Sequence, residues 1–282
     1  MTRRNHPVSA LSRGEARGLL GASAGLGLAA ATVIAAMTLS AQTLSQKQAQ
    51  TMAWKVDGET RRAIVYAPAA NSAGGRAPLV FSFHGHGDGM QNFQYTDLHV
   101  AWPEAIVVYF EGVPSRRDGL SGWQVERGQD DDRDLKLVDA ALTSLRDTFK
   151  VDDARIYSTG FSNGANFTYL LWAERPTVFA AFAPVAARLR PSVRPTHPKP
   201  LLHIAGTRDQ QIPFADQQAA IEIARRVDGA TGKGASCGGG CTIYRAPSGP
   251  PVMTWIHSGG HEYPPGTSER IAKFFREHPL AP

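Results

Sequence analysis

Residues 160 to 164 read Gly-Phe-Ser-Asn-Gly, between a strand-like run, Ala154 to Thr159, and a segment patterned as a helix from Asn163 to Arg175. A strand can pass this abruptly into a helix only where the flanking residues carry almost no side chain, which is what the two glycines supply. The pentapeptide therefore demands a tight strand-to-helix turn with the Ser162 hydroxyl exposed at its apex.

The rest of the chain repeats that alternation. Residues 53 to 67 read as a hairpin about Asp57-Gly58, a strong short-range turn signal. A Gly/Pro-containing loop, Asn71 to Pro78, leads to the apolar run Leu79 to Phe83, which ends in His84-Gly85-His86-Gly87, and Ile106 to Phe110 is the next strand. Leu135, Val138, Leu142, Leu145 and Phe149 recur at three- and four-residue steps and predict a helix. After the pentapeptide come apolar runs at Ala181 to Ala186, Leu201 to Ala205 and Met253 to His257, with helical patterns at Ala215 to Val227 and Ser268 to Glu277. The order implies a mostly parallel sheet covered by helices on both faces, after an antiparallel hairpin. The Arg/Pro-rich connection Ala187 to Lys199 is too short for a helical lid domain, and an open cleft suited to bulky or polymeric substrates is expected.

The chain has 282 residues, and its formal charge of +5 is uneven. Arg3, Arg4, Arg13 and Arg17 against Glu15 give +3, which leaves 26 basic and 24 acidic residues from 42 onward, a balance that carries no nucleic-acid footprint. Residues 18 to 46 hold no charge, and Leu-Ser-Ala-Gln at 39 to 42 offers a cleavage site after Ala41. Residues 1–41 thus read as an export signal or, if retained, an N-terminal membrane anchor, and 42–282 as one α/β domain. Export points to a periplasmic or extracellular site of action. In such a compartment Cys237 and Cys241, separated by three glycines, are expected to form a small disulfide loop, since a metal site would need further ligands.

Ser162 needs a base within hydrogen-bond reach and donors for the oxyanion that its attack creates. His261 is the candidate base, because it follows Ser258-Gly259-Gly260 in a loop just past the last strand, whereas His203 and His257 lie inside apolar runs. Asp209, in the loop Gly206 to Pro213, is the candidate acid to orient the imidazole; its bland alternative is a loop-capping Asx turn. Asp216 reads as an N-cap of the following helix. The order Ser162, Asp209, His261 is the Ser-Asp-His order of one known arrangement of the triad. The backbone N–H groups of Asn163 and His86 are the expected oxyanion donors, with Gly87 next, while Trp123 and Tyr263 are candidate substrate-lining residues. His84 and His86 invite a zinc reading, but no third ligand at suitable spacing accompanies them, so no metal is expected. Asp130-Asp131-Asp132, with Asp134, lacks the spacing of a calcium loop and reads as a solvated acidic turn capping a helix.

Leu79 to Gly87, Gly122-Trp123-Gln124, Val151-Asp152, Arg155 to Gly164, Phe179 to Ala187, Gly206 to Pro213 and Gly259-Gly260-His261 together resemble the secreted polyhydroxybutyrate depolymerase and feruloyl esterase-like group of α/β-hydrolases. The resemblance runs from Trp54 to Phe275. It implies the α/β-hydrolase fold, a triad of Ser162, Asp209 and His261, an acyl-enzyme mechanism on carboxylic esters, and no metal or organic cofactor. Two departures flank the acyl pocket: Glu262-Tyr263-Pro264 stands where Trp-Pro often follows the family's histidine, and His86 stands where a small residue or cysteine is common. The expected activity is hydrolysis of hydroxycinnamoyl-polysaccharide or polyhydroxyalkanoate esters. Two other readings remain open at this point: a serine peptidase of prolyl-oligopeptidase type, and a non-catalytic binding protein on a hydrolase scaffold.

Overall fold

Asp57 and Gly58 both adopt positive φ (48° and 84°), the two-residue turn that matches the twist of paired strands. Strands β1 (Ala49–Val56) and β2 (Glu59–Tyr66) accordingly pair antiparallel. The structure, a computed structural model, describes residues 49–68 and 75–280. The expected export segment, and the first part of the loop that begins at Asn71, lie outside the described residues.

After β3 (Ala77–Phe83) come two single-turn helices, α1 (Met90–Phe93) and α2 (Leu98–Ala101), then β4 (Ile106–Phe110) and a two-residue ladder of β5 (Val113–Pro114) with β6 (Ser121–Gly122). Helix α3 (Arg133–Thr148) leads into β7 (Val151–Phe161), and α4 (Asn163–Glu174) follows after one residue. The chain continues through β8 (Ala181–Val185), β9 (Leu201–Gly206), α5 (Phe214–Val227), β10 (Ala235–Gly238), β11 (Cys241–Tyr244), β12 (Val252–His257) and α6 (Thr267–Arg276).

Among the described residues ten strands form one sheet in the order β1-β2-β4-β3-β7-β8-β9-β12-β11-β10. The central six, from β4 to β12, run parallel, and the two strands at either edge are antiparallel. Strand periodicity then decides which residues meet which helices. Phe81, Phe83, Val108 and Phe110 point to the side covered by α3, α4 and α5, while Val80, Val107 and Tyr109 point to the side covered by α1, α2 and α6. Every residue of α4 from Gly164 to Trp172 is buried, so the helix behind the pentapeptide is a core element on all sides. Among the described residues no helix is long and apolar enough to cross a membrane.

The sequence reading gives neither the β10–β11 hairpin nor α1 and α2. All four residues of β10 are exposed, so no inward and outward alternation marks them. Its turn, Gly238 to Gly240, runs entirely at positive φ and closes the disulfide between Cys237 and Cys241. Residues 186–200 cross from β8 to β9 as irregular chain.

The acidic run does not cap α3. Gln124 does, its Oε1 accepting the N–H groups of Asp134 and Leu135 at 2.9 and 3.2 Å. Asp134 instead turns inward, pairs with the fully buried Arg61 at 2.7 Å, and accepts the Gln124 N–H at 2.7 Å. Asp216 is likewise not an N-cap. Pro213 holds that position, and Asp216 sits in the first turn of α5, 3.7 Å from Arg188 Nη1.

Candidate active site

Parallel strands deliver their carboxyl ends to one edge of the sheet, and there the candidate residues gather. His86 follows β3, Ser162 follows β7, Asp209 follows β9 and His261 follows β12. The pairing Phe83 with Gly160 sets the His84 to His86 loop beside the pentapeptide, and a Cβ on Gly85 would lie 3.7 Å from Ser162 Cβ. On the other side, the Thr207 N–H donates to His257 O and the Arg208 N–H to Gly259 O, each at 2.9 Å, which ties the Asp209 loop to the His261 loop.

Ser162 has φ 54° and ψ −113°, outside the regions that L-residues favour, at a cost of about 1–3 kcal/mol. Its surroundings hold that strain. The Ser162 N–H donates to Val185 O, and Ser162 O accepts the Asn166 N–H, both at 2.9 Å. Both flanking glycines are required by contact: a Cβ on Gly160 would stand 2.5 Å from the Gly164 carbonyl carbon, and one on Gly164 would strike the carbonyls of Phe83 and His84.

His261 Nε2 lies 2.8 Å from Ser162 Oγ, and its Nδ1 lies 2.8 Å from Asp209 Oδ2. The Asp209 side chain is fully shielded from solvent and that of His261 is 8% exposed, so the contacts form in a low-dielectric setting. The two readings of Asp209 coexist, because its two oxygens face different groups. Oδ1 accepts the N–H groups of Gln211 and Ile212, both at 2.9 Å, as an Asx turn does, and Oδ2 faces His261. With Oδ2 accepting, Nδ1 donates and Nε2 is left to accept the serine hydroxyl proton. Such a chain lets a proton leave Oγ as the oxygen attacks a carbonyl.

Behind the triad lies a residue that sequence reasoning missed. Gln217 Nε2 donates to Asp209 Oδ2 at 3.0 Å and to Ile212 O at 2.8 Å, while its Oε1 faces His203 Nε2 at 3.4 Å. His203 Nδ1 in turn meets the Tyr169 hydroxyl at 2.7 Å, and burial holds the pKa of this imidazole down to about 4. Gln217 occupies a buried position in line with Ala220, Ile221 and Ala224, and a polar residue on that apolar stripe is the signal that could have found it.

The two histidines of the H-x-H run serve different purposes. His84 is buried with both ring nitrogens engaged: Nδ1 donates to Gly85 O at 2.7 Å, and Nε2 accepts the Gly112 N–H at 2.9 Å. Burial lowers its pKa, which fits a neutral ring. His86 Nε2 pairs with Asp118 Oδ2 at 3.0 Å, and Asp118 is held down to about 2, chiefly by the Arg117 guanidinium. Among the described residues no cluster of three or more His, Cys, Asp or Glu side chains could hold a metal. The Gly87 N–H is spent on Ser121 O at 2.7 Å, whereas the N–H groups of His86 and Asn163 have no acceptor among the described residues.

A cavity of about 380 Å³ opens at Ser162, lined by His86, Trp123, Asn163 and Asn166 together with Arg117, Glu126, Asp130, Arg133, Arg188 and Arg190. Trp123 is fixed from both ends. Asn163 Oδ1 accepts its N–H at 2.7 Å and Asn163 Nδ2 donates to its carbonyl at 3.1 Å, while the indole N–H donates to His84 O at 2.9 Å. Tyr263 is not among the lining residues. Its ring packs against Phe93 and Phe161 and its hydroxyl meets Ser268 Oγ at 3.0 Å, so it backs the His261 loop from behind.

No family model matches the chain. A protein from Nocardia uniformis subsp. tsuyamanensis named "Putative esterase NocK" is 30% identical over 258 residues, which cover 75% of this chain and 73% of that one. The "Bifunctional acetylxylan esterase/xylanase XynS20E" of Neocallimastix patriciarum is 29% identical over 172 residues, 58% of this chain and 24% of that longer protein. Among solved structures, an acetyl xylan esterase from Aspergillus awamori has the same fold, with a TM-score of 0.58 at 15% identity over 80% of this chain and 99% of that one.

Proposed function

Because this chain belongs to the feruloyl esterase-like family of α/β-hydrolases, we propose that it is an exported serine esterase acting on carboxylic esters through an acyl-enzyme on Ser162. The observation that carries the reading is the pair of 2.8 Å contacts that link Ser162 Oγ, His261 and Asp209. Ser162 Oγ attacks the ester carbonyl while His261 Nε2 takes its proton, and Asp209 holds the imidazolium that forms. The N–H groups of Asn163 and His86, both without an acceptor among the described residues, stabilise the oxyanion, and the amino end of α4 adds its dipole. His261 then protonates the departing alcohol. Water activated by the same imidazole releases the acid and restores Ser162.

The substrates are hydroxycinnamoyl-polysaccharide or polyhydroxyalkanoate esters. This reading is supported by the relative named as an acetylxylan esterase/xylanase, and by a cavity that opens to solvent. Export is supported by the charge-free stretch from 18 to 46 and by a disulfide, a bond at home in oxidising compartments. A mature amino terminus at Gln42 in the exported fraction would fit cleavage after Ala41.

The decisive experiment compares the exported protein with its Ser162→Ala variant on a chromogenic short-chain ester, alongside labelling by a fluorophosphonate. Hydrolysis and labelling are expected in the parent protein and absent in the variant. Retained hydrolysis in Ser162→Ala sinks the acyl-enzyme reading.

A further inference from the structure

The charged residues that line the cavity are not balanced. Four arginines face two carboxylates, and two of the arginines have little to hold. Arg133 is occupied by Asp130 and Asp134, at 3.7 and 3.8 Å, and Arg117 by Asp118 at 2.8 Å. Glu126, the other acid of the lining, accepts the Ser192 hydroxyl at 2.7 Å. Arg188 has only a 3.7 Å approach to Asp216, and Arg190 has no carboxylate partner among the described residues. The Nε atoms of both Arg188 and Arg190 are shut off from solvent with no acceptor.

These two side chains share the cavity with the nucleophile, and the main chain that leads to them is tied to its turn. Val185 O accepts the Ser162 N–H, and three residues later the Arg188 N–H donates to Asn166 Oδ1 at 3.0 Å, with Asn166 itself bonded to Ser162 O. The chain is thereby stitched to the turn that carries Ser162 at Val185 and again at Arg188. Burial, then the charge of Arg188, pushes the Arg190 guanidinium below its ordinary range. Glu126 offsets part of the charge at Arg190 and Asp216 part of that at Arg188, but the two cations still repel each other, and an anion that bridges their terminal nitrogens relieves that repulsion.

We propose that Arg188 and Arg190 form an anion subsite that receives a carboxylate carried by the ester substrate, so that the enzyme prefers acidic esters to neutral ones of the same size. The inference rests on the esterase reading for its substrate and on the arginines alone for its binding. The carboxylate can belong to the acyl part or to the alcohol part, and two matched pairs separate these. The acyl pair is 4-nitrophenyl hydrogen glutarate against 4-nitrophenyl valerate. The alcohol pair is 4-acetoxybenzoate against methyl 4-acetoxybenzoate.

The expected result is a kcat/KM preference of roughly tenfold or more for the acidic ester in one pair, weakened by salt. Arg188→Gln/Arg190→Gln brings that ratio close to one, and Arg190→Lys, which keeps the charge and loses the planar fork, falls between. An absence of preference in both pairs, or a preference that survives in the double glutamine variant, overturns the proposal. Should no ester be hydrolysed, the esterase reading fails, and calorimetric binding of glutarate to Ser162→Ala decides the subsite. Binding that disappears on adding the two glutamine substitutions sustains it, and no binding, or binding that persists, removes it.

Discussion

Gln217 Nε2 donates to Asp209 Oδ2 at 3.0 Å, so the oxygen that faces His261 also has a donor supplied from the buried stripe of α5. The amide limits where that oxygen can sit, and through it the direction of the imidazole. In Gln217→Leu, Asp209 keeps its two backbone donors on Oδ1 and remains in its loop, but Oδ2 is free to swing. We expect kcat to fall by about tenfold to a hundredfold, the scale seen when a partner that orients a catalytic group is lost. KM should change little, because Gln217 does not line the cavity. The variant also leaves Ile212 O without its amide donor, so rates are to be measured well below its melting temperature. A rise in KM with unchanged kcat would count against the positioning role.

Gly164→Ala tests the packing behind the pentapeptide. The added Cβ would meet the main-chain carbonyls of Phe83 and His84, which cannot swing aside as a side-chain tip could. Overpacking of this kind costs about 1–3 kcal/mol, and in a domain of this size roughly 2–4 °C of melting temperature per kcal/mol. The collision also displaces the loop that leads to His86, so esterase activity at 25 °C should fall by more than the folded fraction does. Gly232→Ala, at a position with nothing within 4 Å of an added Cβ and without positive φ, should leave both unchanged. Circular-dichroism melts of the two variants, with activity measured beside them, distinguish a local clash from a general intolerance of alanine.

The parts of this molecule that were legible in the sequence are those whose signal is local. The pentapeptide names its own turn: Gly160 is demanded by the backbone of Gly164 within the turn, and Gly164 by the carbonyls of Phe83 and His84 at the end of the neighbouring strand β3. Strands β3, β4 and β9 are buried at nearly every position and therefore read as unbroken apolar runs. Once strands are known to be parallel, the loops that follow them must share an edge, so Ser162, Asp209 and His261 fall at one end of the sheet, and the strand order β7-β8-β9-β12 brings them together. Side-chain direction is not encoded in that way. Tyr263 follows His261 by two residues, yet it turns to Ser268 and away from the cavity, and Arg188 and Arg190 become partners only through the bend after β8, where Ala186 adopts φ 51°. Gln217 and Asp134 left a fainter trace: each is a polar residue in line with an apolar helix stripe, a local inconsistency that marks a buried polar network.

Asp228 makes stability depend on pH in a direction that can be worked out. The residue is 3% exposed; its Oδ1 accepts the Lys199 N–H at 3.0 Å, and its Oδ2 is enclosed with no partner. Burial raises its pKa from 3.8 to about 8, so between these values the folded chain holds a proton that the unfolded chain releases. Its contribution is complete below the unfolded value and is lost as pH rises through about 8. His203 works in the opposite sense. Its pKa falls from 6.5 to about 4, so between those values the unfolded chain binds the extra proton and stability increases with pH. The two slopes oppose each other up to pH 6.5, above which only the Asp228 slope remains. His84, His257 and His278, whose pKa values burial also lowers, add to the His203 slope, so urea unfolding should show no decline from pH 5 to 6.5 and a decline toward pH 8, of about 2 kcal/mol at most from one carboxyl group. Asp228→Asn keeps an acceptor for Lys199 and cannot ionise, so in that variant the decline should vanish and the buried histidines, His203 chief among them, should shape the acid limb. A variant that still declines above pH 6.5 would move the cause to another group.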